Sequence, residues 1–224
     1  MTAYISEYKR YTSEYAPTFS TNYLISVPED YKAGEVLPMI VFLHGAGEVG
    51  TTPDRLQATG LMRIIKGGLP VRAVVLAPHL PDGRRVWNNL VDEIFELIDK
   101  TADEYSVDKN RISITGLSMG GYGTWEMGIC HRDYFAAMAP ICGGGLSWRA
   151  PKLVGMPIRT FHGDVDGTVP ISVTYEMVDR ILSSGGHVEF TILHNVSHNC
   201  WDFAYGETNL LEWLISHDKR EQQK

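Results

Sequence analysis

The chain has 224 residues, of which 44% are hydrophobic and 21% charged, a composition typical of a globular protein. The length suits one large α/β domain, so we predict a single domain over residues 1–224. The formal net charge is −7, and an acidic surface argues against a nucleic-acid or anionic-membrane partner. No apolar run reaches the length of about eighteen residues that would indicate a transmembrane helix.

The N-terminal segment and the cysteines bear on the compartment. MTAYISEYKRYTSEY is polar and aromatic and lacks the apolar core of a signal peptide. Cys130, Cys142 and Cys200 form an odd, sparse set, which fits a reducing compartment better than a disulfide framework. We therefore expect a cytoplasmic protein with buried or half-buried thiols. A removed signal peptide, or excision from a longer secreted enzyme, is the open alternative.

The predicted strands are of two kinds, with alternating polar and apolar residues near the N-terminus and continuous apolar runs after it. Segments around SEYKRYTSEY and TNYLISVP, within residues 1–28, predict an antiparallel pair at a sheet edge. LPMIVFLHG and VRAVVLAP are nearly continuous apolar runs, typical of parallel strands buried on both faces. RISITG, FAAMAPICGG, MPIRTFHG and HVEFTILH are predicted as the later strands.

The predicted helices lie between these strands. WNNLVDEIFELIDKTADEY carries an apolar stripe at three- and four-residue spacing, formed by Leu90, Ile94, Leu97 and Ile98. MGGYGTWEMGIC, PISVTYEMVDRILSSGG and GETNLLEWLISHDKR are predicted as further helices. This alternation predicts the α/β class, with a mostly parallel doubly wound sheet, an antiparallel N-terminal start and helices on both faces. Ligand sites in such sheets lie beyond the carboxyl ends of the strands.

The strongest chemical signal is the hexapeptide GLSMGG, which places Ser118 between Gly116 and Gly120 directly after a strand. In a G-x-S-x-G turn the serine adopts strained backbone angles, and bulky residues two positions away would clash. The turn lifts the hydroxyl clear of the sheet, and the helix that follows favours developing negative charge. We therefore predict Ser118 as a catalytic nucleophile.

A serine nucleophile needs a base, and the base needs an orienting partner. In proteins that carry a nucleophilic serine on a G-x-S-x-G turn of this kind, the chain order is serine, acid, histidine. FHGDVDGTVP supplies Asp164 and Asp166 at one strand end, and the next strand end supplies His194 and His198. His198 is preferred as the base because it lies farther into its loop. A metal site on the two histidines is disfavoured because their spacing lacks the H-E-x-x-H pattern and falls in a loop.

The third requirement is an oxyanion hole formed by two backbone amides. One is expected from Met119, the residue after the nucleophile. The other is expected from Ala46 in LHGAGE, where flanking glycines permit close backbone approach. In the same loop, His44 is predicted to orient the backbone. Glu48 either braces the loop, contacts substrate or is a solvated surface residue.

The segments LHGAGE, GLSMGGYG, HGDVDGTVP and VSHNCWD resemble the four signatures of the α/β-hydrolase superfamily. More narrowly, they resemble its phospholipase/carboxylesterase and dienelactone-hydrolase-like branch, including polyhydroxybutyrate-depolymerase-like and feruloyl esterases. The resemblance covers nearly the whole chain from Tyr23. It implies a serine carboxylesterase that acts on a small-molecule ester without a metal or organic cofactor. Its H-G-x-x-D pattern places the acid at Asp166, which leaves Asp164 as a turn former.

The same resemblance limits the reaction and the pocket. Dienelactone hydrolases proper carry a cysteine where this chain has Ser118, so that reaction is disfavoured. Larger hydrolases often insert a cap domain between the nucleophile and the acid, whereas this chain has only CGGGLSWRAPKLVG there. We therefore predict an open site without a large cap. Its tentative substrate-binding residues are Gly45, Glu48, Trp87 and Trp201.

Other residues near the predicted strand ends are less specific. Trp148 is a further candidate for an aromatic wall, whereas Trp125 is expected in the core. Arg84 and Arg85 lie in PHLPDGRRVW and are expected in a solvated loop rather than in an anion site.

Two alternatives to the esterase stay open. The same catalytic residues would serve a small serine peptidase or an acyl thioesterase. A non-catalytic binding protein on this fold is the remote alternative, and the oligomeric state is not predicted.

Overall fold

The computed structural model describes residues 1–50, 53–80 and 86–222. Its strands are β1 Tyr4–Thr12, β2 Ser20–Pro28, β3 Leu37–Leu43, β4 Val74–Pro78, β5 Val107–Leu117, β6 Ala137–Ile141, β7 Arg159–Gly163 and β8 Glu189–Leu193. They form one sheet in the order β1-β2-β4-β3-β5-β6-β7-β8. β2 pairs antiparallel with both β1 and β4, and the pairings from β4 to β8 are parallel.

The helices connect these strands. They are α1 Gly60–Ile64, α2 Val91–Glu104, α3 Met119–Cys130, α4 Ser172–Ser183, α5 Trp201–Gly206, α6 Leu210–Ser216 and α7 Lys219–Gln222. Short 3-10 helices add Ala46–Glu48, Pro53–Ala58, Ile65–Gly67, Trp87–Asn89 and Ser147–Leu153. Within the described ranges, no helix has both the length and the apolar character needed to cross a bilayer.

Apolar side chains bury both faces of the sheet. Along β3, Met39 and Val41 point into the core on one face, where α2, α3 and α4 pack. Ile40 and Phe42, which alternate with them, point into the core on the other face, with α1, α5 and α6. Because successive side chains of a strand face opposite sides, a strand covered on both faces must be apolar throughout. The predicted fold class is confirmed, and the segment between β6 and β7 contains a short 3-10 helix rather than a cap domain.

The C-terminal helical segment differs from the prediction. GETNLLEWLISHDKR was expected to form one helix, but the described residues place α6 and α7 there instead. α6 ends where His217 adopts extended backbone angles. α5 was not predicted, because its six residues are too few to show a helical period. The single-helix prediction is therefore wrong.

The carboxyl ends of the parallel strands position the candidate site. β3 leads into the LHGAGE loop, β5 into the serine turn, β7 into the aspartate loop and β8 into the histidine loop. Because these strands run in the same direction, their carboxyl ends meet at one edge of the sheet. Four segments that are far apart in sequence therefore converge there.

The serine turn packs directly against the end of β3. A Cβ atom built on Gly120 would lie 1.9 Å from the backbone oxygen of Leu43, and one built on Gly116 would lie 2.7 Å from the same oxygen. Real Cβ atoms do not approach a backbone oxygen this closely, so only glycine fits at these positions. This explains in physical terms the glycines that flank Ser118.

Candidate active site

Ser118 occupies the sharp turn between β5 and α3. Its backbone angles are φ 54° and ψ −117°, in a region that non-glycine residues rarely adopt. Its N–H donates to the carbonyl of Ile141 at 2.9 Å, and its own carbonyl accepts from the N–H of Tyr122 at 3.1 Å. These bonds fix the turn to β6 and to the first turn of α3. The strained conformation is the one the sequence predicted.

The side chains of Ser118, His198 and Asp166 form a continuous hydrogen-bonded chain. The Ser118 Oγ hydroxyl lies 2.9 Å from His198 Nε2 and can donate to it. His198 Nδ1–H donates to Asp166 Oδ2 at 2.7 Å. The Asp166 side chain is fully buried, whereas that of His198 is 21% exposed. The structure therefore brings together the three residues that the sequence selected, with the histidine between the other two.

Asp166 is held as a carboxylate by its surroundings. Oδ1 accepts the backbone N–H groups of Thr168 at 2.8 Å and Val169 at 2.9 Å. Burial acts to raise the pKa of Asp166, but the hydrogen bond from His198 and the two amides act against it, and the net pKa is lowered. An ionised acceptor facing Nδ1 leaves Nε2 of His198 free to accept the serine proton.

The other aspartate of the loop has separate partners. Asp164 Oδ2 accepts from His194 Nδ1 at 2.9 Å, and Oδ1 accepts from the N–H of Asn195 at 2.7 Å. Asn195 has a positive φ of 57°, so this carboxylate stabilises a tight turn. The four acidic and imidazole side chains thus divide into two pairs. Only the pair of Asp166 and His198 reaches Ser118.

Ala46 and Met119, whose backbone amides were predicted to form the oxyanion hole, are each the first residue of a helical segment. Ala46 is the first residue of the 3-10 helix after β3, and Met119 is the first residue of α3. The first N–H groups of a helix have no acceptor within it, so both amides can donate to a ligand. A Cβ atom built on Gly45 would lie 2.8 Å from Leu117 Cδ1, which places the two segments side by side.

His44 fixes the backbone of this loop. Nδ1–H donates to the carbonyl of Gly45 at 2.6 Å, and Nε2 accepts the N–H of Leu80 at 3.0 Å. Burial lowers the pKa of His44 to about 3, so the ring stays neutral and keeps these two bonds at working pH. The structure agrees with the predicted orienting role.

Trp87 does not line the site. Its side chain is 1% exposed, and its Nε1–H donates to the carbonyl of His44 at 2.9 Å. A Cβ atom built on Gly123 of α3 would lie 2.4 Å from Trp87 Cβ, so Trp87 is packed against α3. The prediction of a substrate-binding role for Trp87 is wrong. Trp87 instead supports the LHGAGE loop from the protein interior.

Trp201 is placed beside the base. It is the half-buried first residue of α5. Its ring stands perpendicular to that of His198, with the ring centroids 5.2 Å apart. Trp201 thus lies next to His198, and its predicted role as a wall of the site stays a prediction.

Two further tentative substrate-binding residues lie in the LHGAGE loop. Gly45 is buried, and Glu48 is also buried, at 8% exposure. Glu48 Oε2 lies 3.1 Å from the position that a Cβ atom of Gly45 would occupy. This oxygen has no hydrogen-bond partner among the residues the structure describes. Glu48 is therefore not a solvated surface residue.

The other tryptophans and the two arginines complete the sequence-based candidates. Trp148 is 70% exposed on the 3-10 helix after β6. Trp125 is fully buried, as expected, and donates Nε1–H to the carbonyl of Gly143 at 3.1 Å. Arg84 and Arg85 lie outside the described residues.

Sequence reasoning missed one residue at the site and misplaced one thiol. His162, at the end of β7, also contacts Asp166 Oδ2, at 3.1 Å. The signal that could have found it is its place as the first residue of the H-G-x-x-D pattern. Cys142 and Cys200 are buried as expected, whereas Cys130 at the end of α3 is exposed.

The sheet topology and the strained serine turn define an α/β-hydrolase. A family model described as Phospholipase/Carboxylesterase matches residues 74–205, which is more than half of the chain. The chain therefore belongs to the phospholipase/carboxylesterase family, a branch of carboxylic ester hydrolases.

Similar characterised proteins are esterases and a depolymerase. The chain is 23% identical over 186 residues to feruloyl esterase D of Neurospora crassa, covering 75% of this chain and 60% of that one. It is 39% identical over 121 residues to poly(3-hydroxyalkanoate) depolymerase C of Paucimonas lemoignei, covering 48% of this chain and 28% of that one. The chain thus spans less than two thirds of the length of these relatives.

Solved structures with the same fold include two esterases. A thermostable esterase superimposes with a TM-score of 0.81 at 29% identity, covering 95% of this chain and 63% of that one. A feruloyl esterase module of Clostridium thermocellum, in complex with sinapinate, has a TM-score of 0.74 at 16% identity and covers 96% and 89% of the two chains. The second similarity shows the fold alone.

Proposed function

We propose that the protein is a serine carboxylesterase that hydrolyses carboxylic esters through a covalent acyl-enzyme intermediate. The observation that carries this proposal is the hydrogen-bonded chain from Ser118 Oγ through His198 to Asp166, with distances of 2.9 and 2.7 Å. A serine hydroxyl becomes a competent nucleophile when an oriented imidazole can take its proton.

In the acylation step, His198 Nε2 takes the proton of Ser118 as Oγ bonds to the ester carbonyl carbon. The carbonyl π electrons move to oxygen, which becomes an oxyanion. When the tetrahedral intermediate collapses, the bond to the leaving oxygen breaks and His198 donates the proton to the alcohol. Asp166 stabilises the cationic imidazole and fixes its tautomer throughout.

In the deacylation step, water takes the place of the alcohol. His198 Nε2 takes one proton of the water as its oxygen bonds to the acyl carbon. The second intermediate collapses with cleavage of the bond to Ser118 Oγ, and His198 returns the proton to the serine. The products are a carboxylic acid and the regenerated enzyme.

The oxyanion of both intermediates would accept hydrogen bonds from the amides of Ala46 and Met119. The support for this role is that both residues begin helical segments on adjacent loops, where their N–H groups lack a helical acceptor. In hydrolases of this kind, the loss of one such donor costs about 10²- to 10³-fold in kcat.

The proposed substrate is a small-molecule ester that reaches an open site. Support comes from the absence of a cap domain between β6 and β7 in the described residues, and from Trp201 beside His198. Because feruloyl esterases are among the relatives, a hydroxycinnamoyl ester is the first candidate for the natural substrate that should be tested. We also propose that the protein binds neither nucleic acid nor an anionic membrane, because its net charge is −7.

A side-by-side assay separates the esterase from its alternatives. The substrates are an aryl acetate, a methyl hydroxycinnamate, an acyl thioester and an aminoacyl amide, with Ser118→Ala protein as the background control. We expect kcat/KM to be highest for one of the two oxygen esters and negligible for the amide. A preference for the amide would identify a peptidase, and a preference for the thioester would identify a thioesterase. Either result would overturn the proposal.

A further inference from the structure

A second histidine reaches the aspartate of the triad. His162 lies four residues before Asp166 in the chain, and its side chain is fully buried. Its Nε2 lies 3.1 Å from Asp166 Oδ2 and 2.9 Å from the carbonyl of Val169. Its Nδ1 lies 2.7 Å from Thr174 Oγ1. The catalytic cycle described above does not use this residue.

The neighbours of His162 fix its tautomer. Both groups near Nε2 are acceptors only, so Nε2 carries the proton. Nδ1 then accepts from the hydroxyl of Thr174. The carbonyl of Gly143, 2.9 Å from that hydroxyl, is not left unpaired because Trp125 Nε1–H donates to it. Burial lowers the pKa of His162, so the ring is a neutral donor.

The carboxylate of Asp166 is therefore saturated. Oδ1 accepts the N–H groups of Thr168 and Val169, while Oδ2 accepts the Nδ1–H of His198 and shares the single Nε2–H of His162 with the carbonyl of Val169. A carboxylate has about four acceptor positions, and each is filled. Rotation of the carboxyl group would break several bonds in a buried environment, so its plane is fixed relative to His198.

We propose that His162 is a positioning residue for Asp166. Its Nε2–H holds Oδ2 in line with His198 Nδ1. The same contact draws part of the negative charge of the carboxylate away from His198, whose cationic form that charge stabilises. This inference rests on the proposed esterase function, because the rate that it affects is that of the triad.

Other titratable groups near this pair do not change the argument. Tyr122 of α3 and Cys142 at the end of β6 both interact electrostatically with Asp166. Burial raises the pKa of both groups, so they are neutral in the working range. A substitution at His162 should therefore change the pH profile through Asp166 and His198 and not through Tyr122 or Cys142.

Two substitutions separate positioning from packing. His162→Leu removes the donor and keeps an apolar side chain of moderate size, whereas His162→Gln retains an N–H donor at the end of the side chain. The measurement is kcat/KM for an aryl acetate against pH, with thermal unfolding of each variant as the folding control.

We expect His162→Leu to lower kcat/KM by about 10- to 100-fold, because the carboxylate of Asp166 can then rotate away from His198 Nδ1, and because the lost hydrogen bond to a charged group has an energy of this size. Without the His162 donor, more negative charge remains on the Asp166 oxygen that faces His198, and the cationic form of His198 is favoured. The acid limb of the profile should therefore move to higher pH by about half a unit or more. His162→Gln should keep its acid limb at the wild-type position and a rate within about threefold of wild type, because the Gln amide supplies an N–H donor.

Two results would overturn the proposal. One is a folded His162→Leu protein with the wild-type rate and profile. The other is an equal loss of rate in both variants with the acid limb unmoved, which would indicate a purely structural role. Imidazole ¹⁵N NMR of the wild-type protein tests the inference even if His162→Leu does not fold. A neutral ring protonated at Nε2 supports it, and protonation at Nδ1 alone contradicts it.

The same design distinguishes this inference from the proposed function. If the wild-type protein hydrolyses no ester, the proposed function fails, while the NMR measurement still reports on the donor role of His162. If the ester is hydrolysed and His162→Leu is unaffected, only the positioning role fails.

Discussion

Replacement of Ser118 by alanine is expected to lower kcat for an activated short-chain ester by about 10⁴-fold or more. The hydroxyl oxygen is the atom that bonds to the substrate carbonyl, and no other side chain lies in its position on the strained turn. The oxyanion-hole amides remain in this variant, so a small residual rate over water is expected. Steady-state kinetics with an aryl acetate measures the effect.

The matched control is Ser183→Ala. Ser183 is an exposed serine at the end of α4 and lies outside the candidate site. Its variant should keep the wild-type rate, and both variants should unfold at nearly the wild-type temperature. If Ser118→Ala retained more than about a tenth of the wild-type kcat, the nucleophile would have to lie elsewhere.

Asp166→Asn is expected to lower kcat by about 10³- to 10⁴-fold while leaving the fold intact. The asparagine amide can present its NH₂ group to His198 Nδ1, and the ring then adopts the tautomer with the proton on Nε2. That tautomer cannot accept the proton of Ser118. The charge that stabilises the cationic ring is also lost.

Asp164→Asn is the control within the same loop. Asp164 pairs with His194, whose side chain is 82% exposed, and stabilises the turn at Asn195. We expect a rate near that of the wild type and only a small loss of stability, because exposed hydrogen-bonded pairs of this kind contribute little. Measurement of kcat and of thermal unfolding for both variants tests the assignment. Reversed phenotypes would exchange the roles of the two aspartates.

Much of the fold follows from local sequence patterns. The alternating segments before residue 28 and the continuous apolar runs after it reflect strands covered on one or on two faces, as β3 shows. The order of the strand ends also indicated Ser118 and the two loops that carry the acid and the base, while the H-G-x-x-D pattern separated Asp166 from Asp164. This works because parallel strands bring their carboxyl ends to one edge whatever the length of the intervening helices.

The errors concern residues whose partners are distant in sequence. Trp87 lies in a polar stretch that reads as a surface loop, yet its partners His44 and Gly123 bury it completely. His162 is hidden in a strand end, and its contact with Thr174 of α4 has no local signature. Burial and hydrogen bonding of this kind depend on tertiary packing, which periodicity does not report.

Covalent labelling tests the central claim most directly. The wild-type protein is treated with a fluorophosphonate under native conditions, and its intact mass is followed over time. The account predicts a single adduct, located on Ser118 by peptide mapping, which is absent in Ser118→Ala and forms much more slowly in Asp166→Asn. If the folded wild-type protein forms no adduct, or forms it on another residue, Ser118 is not an activated nucleophile.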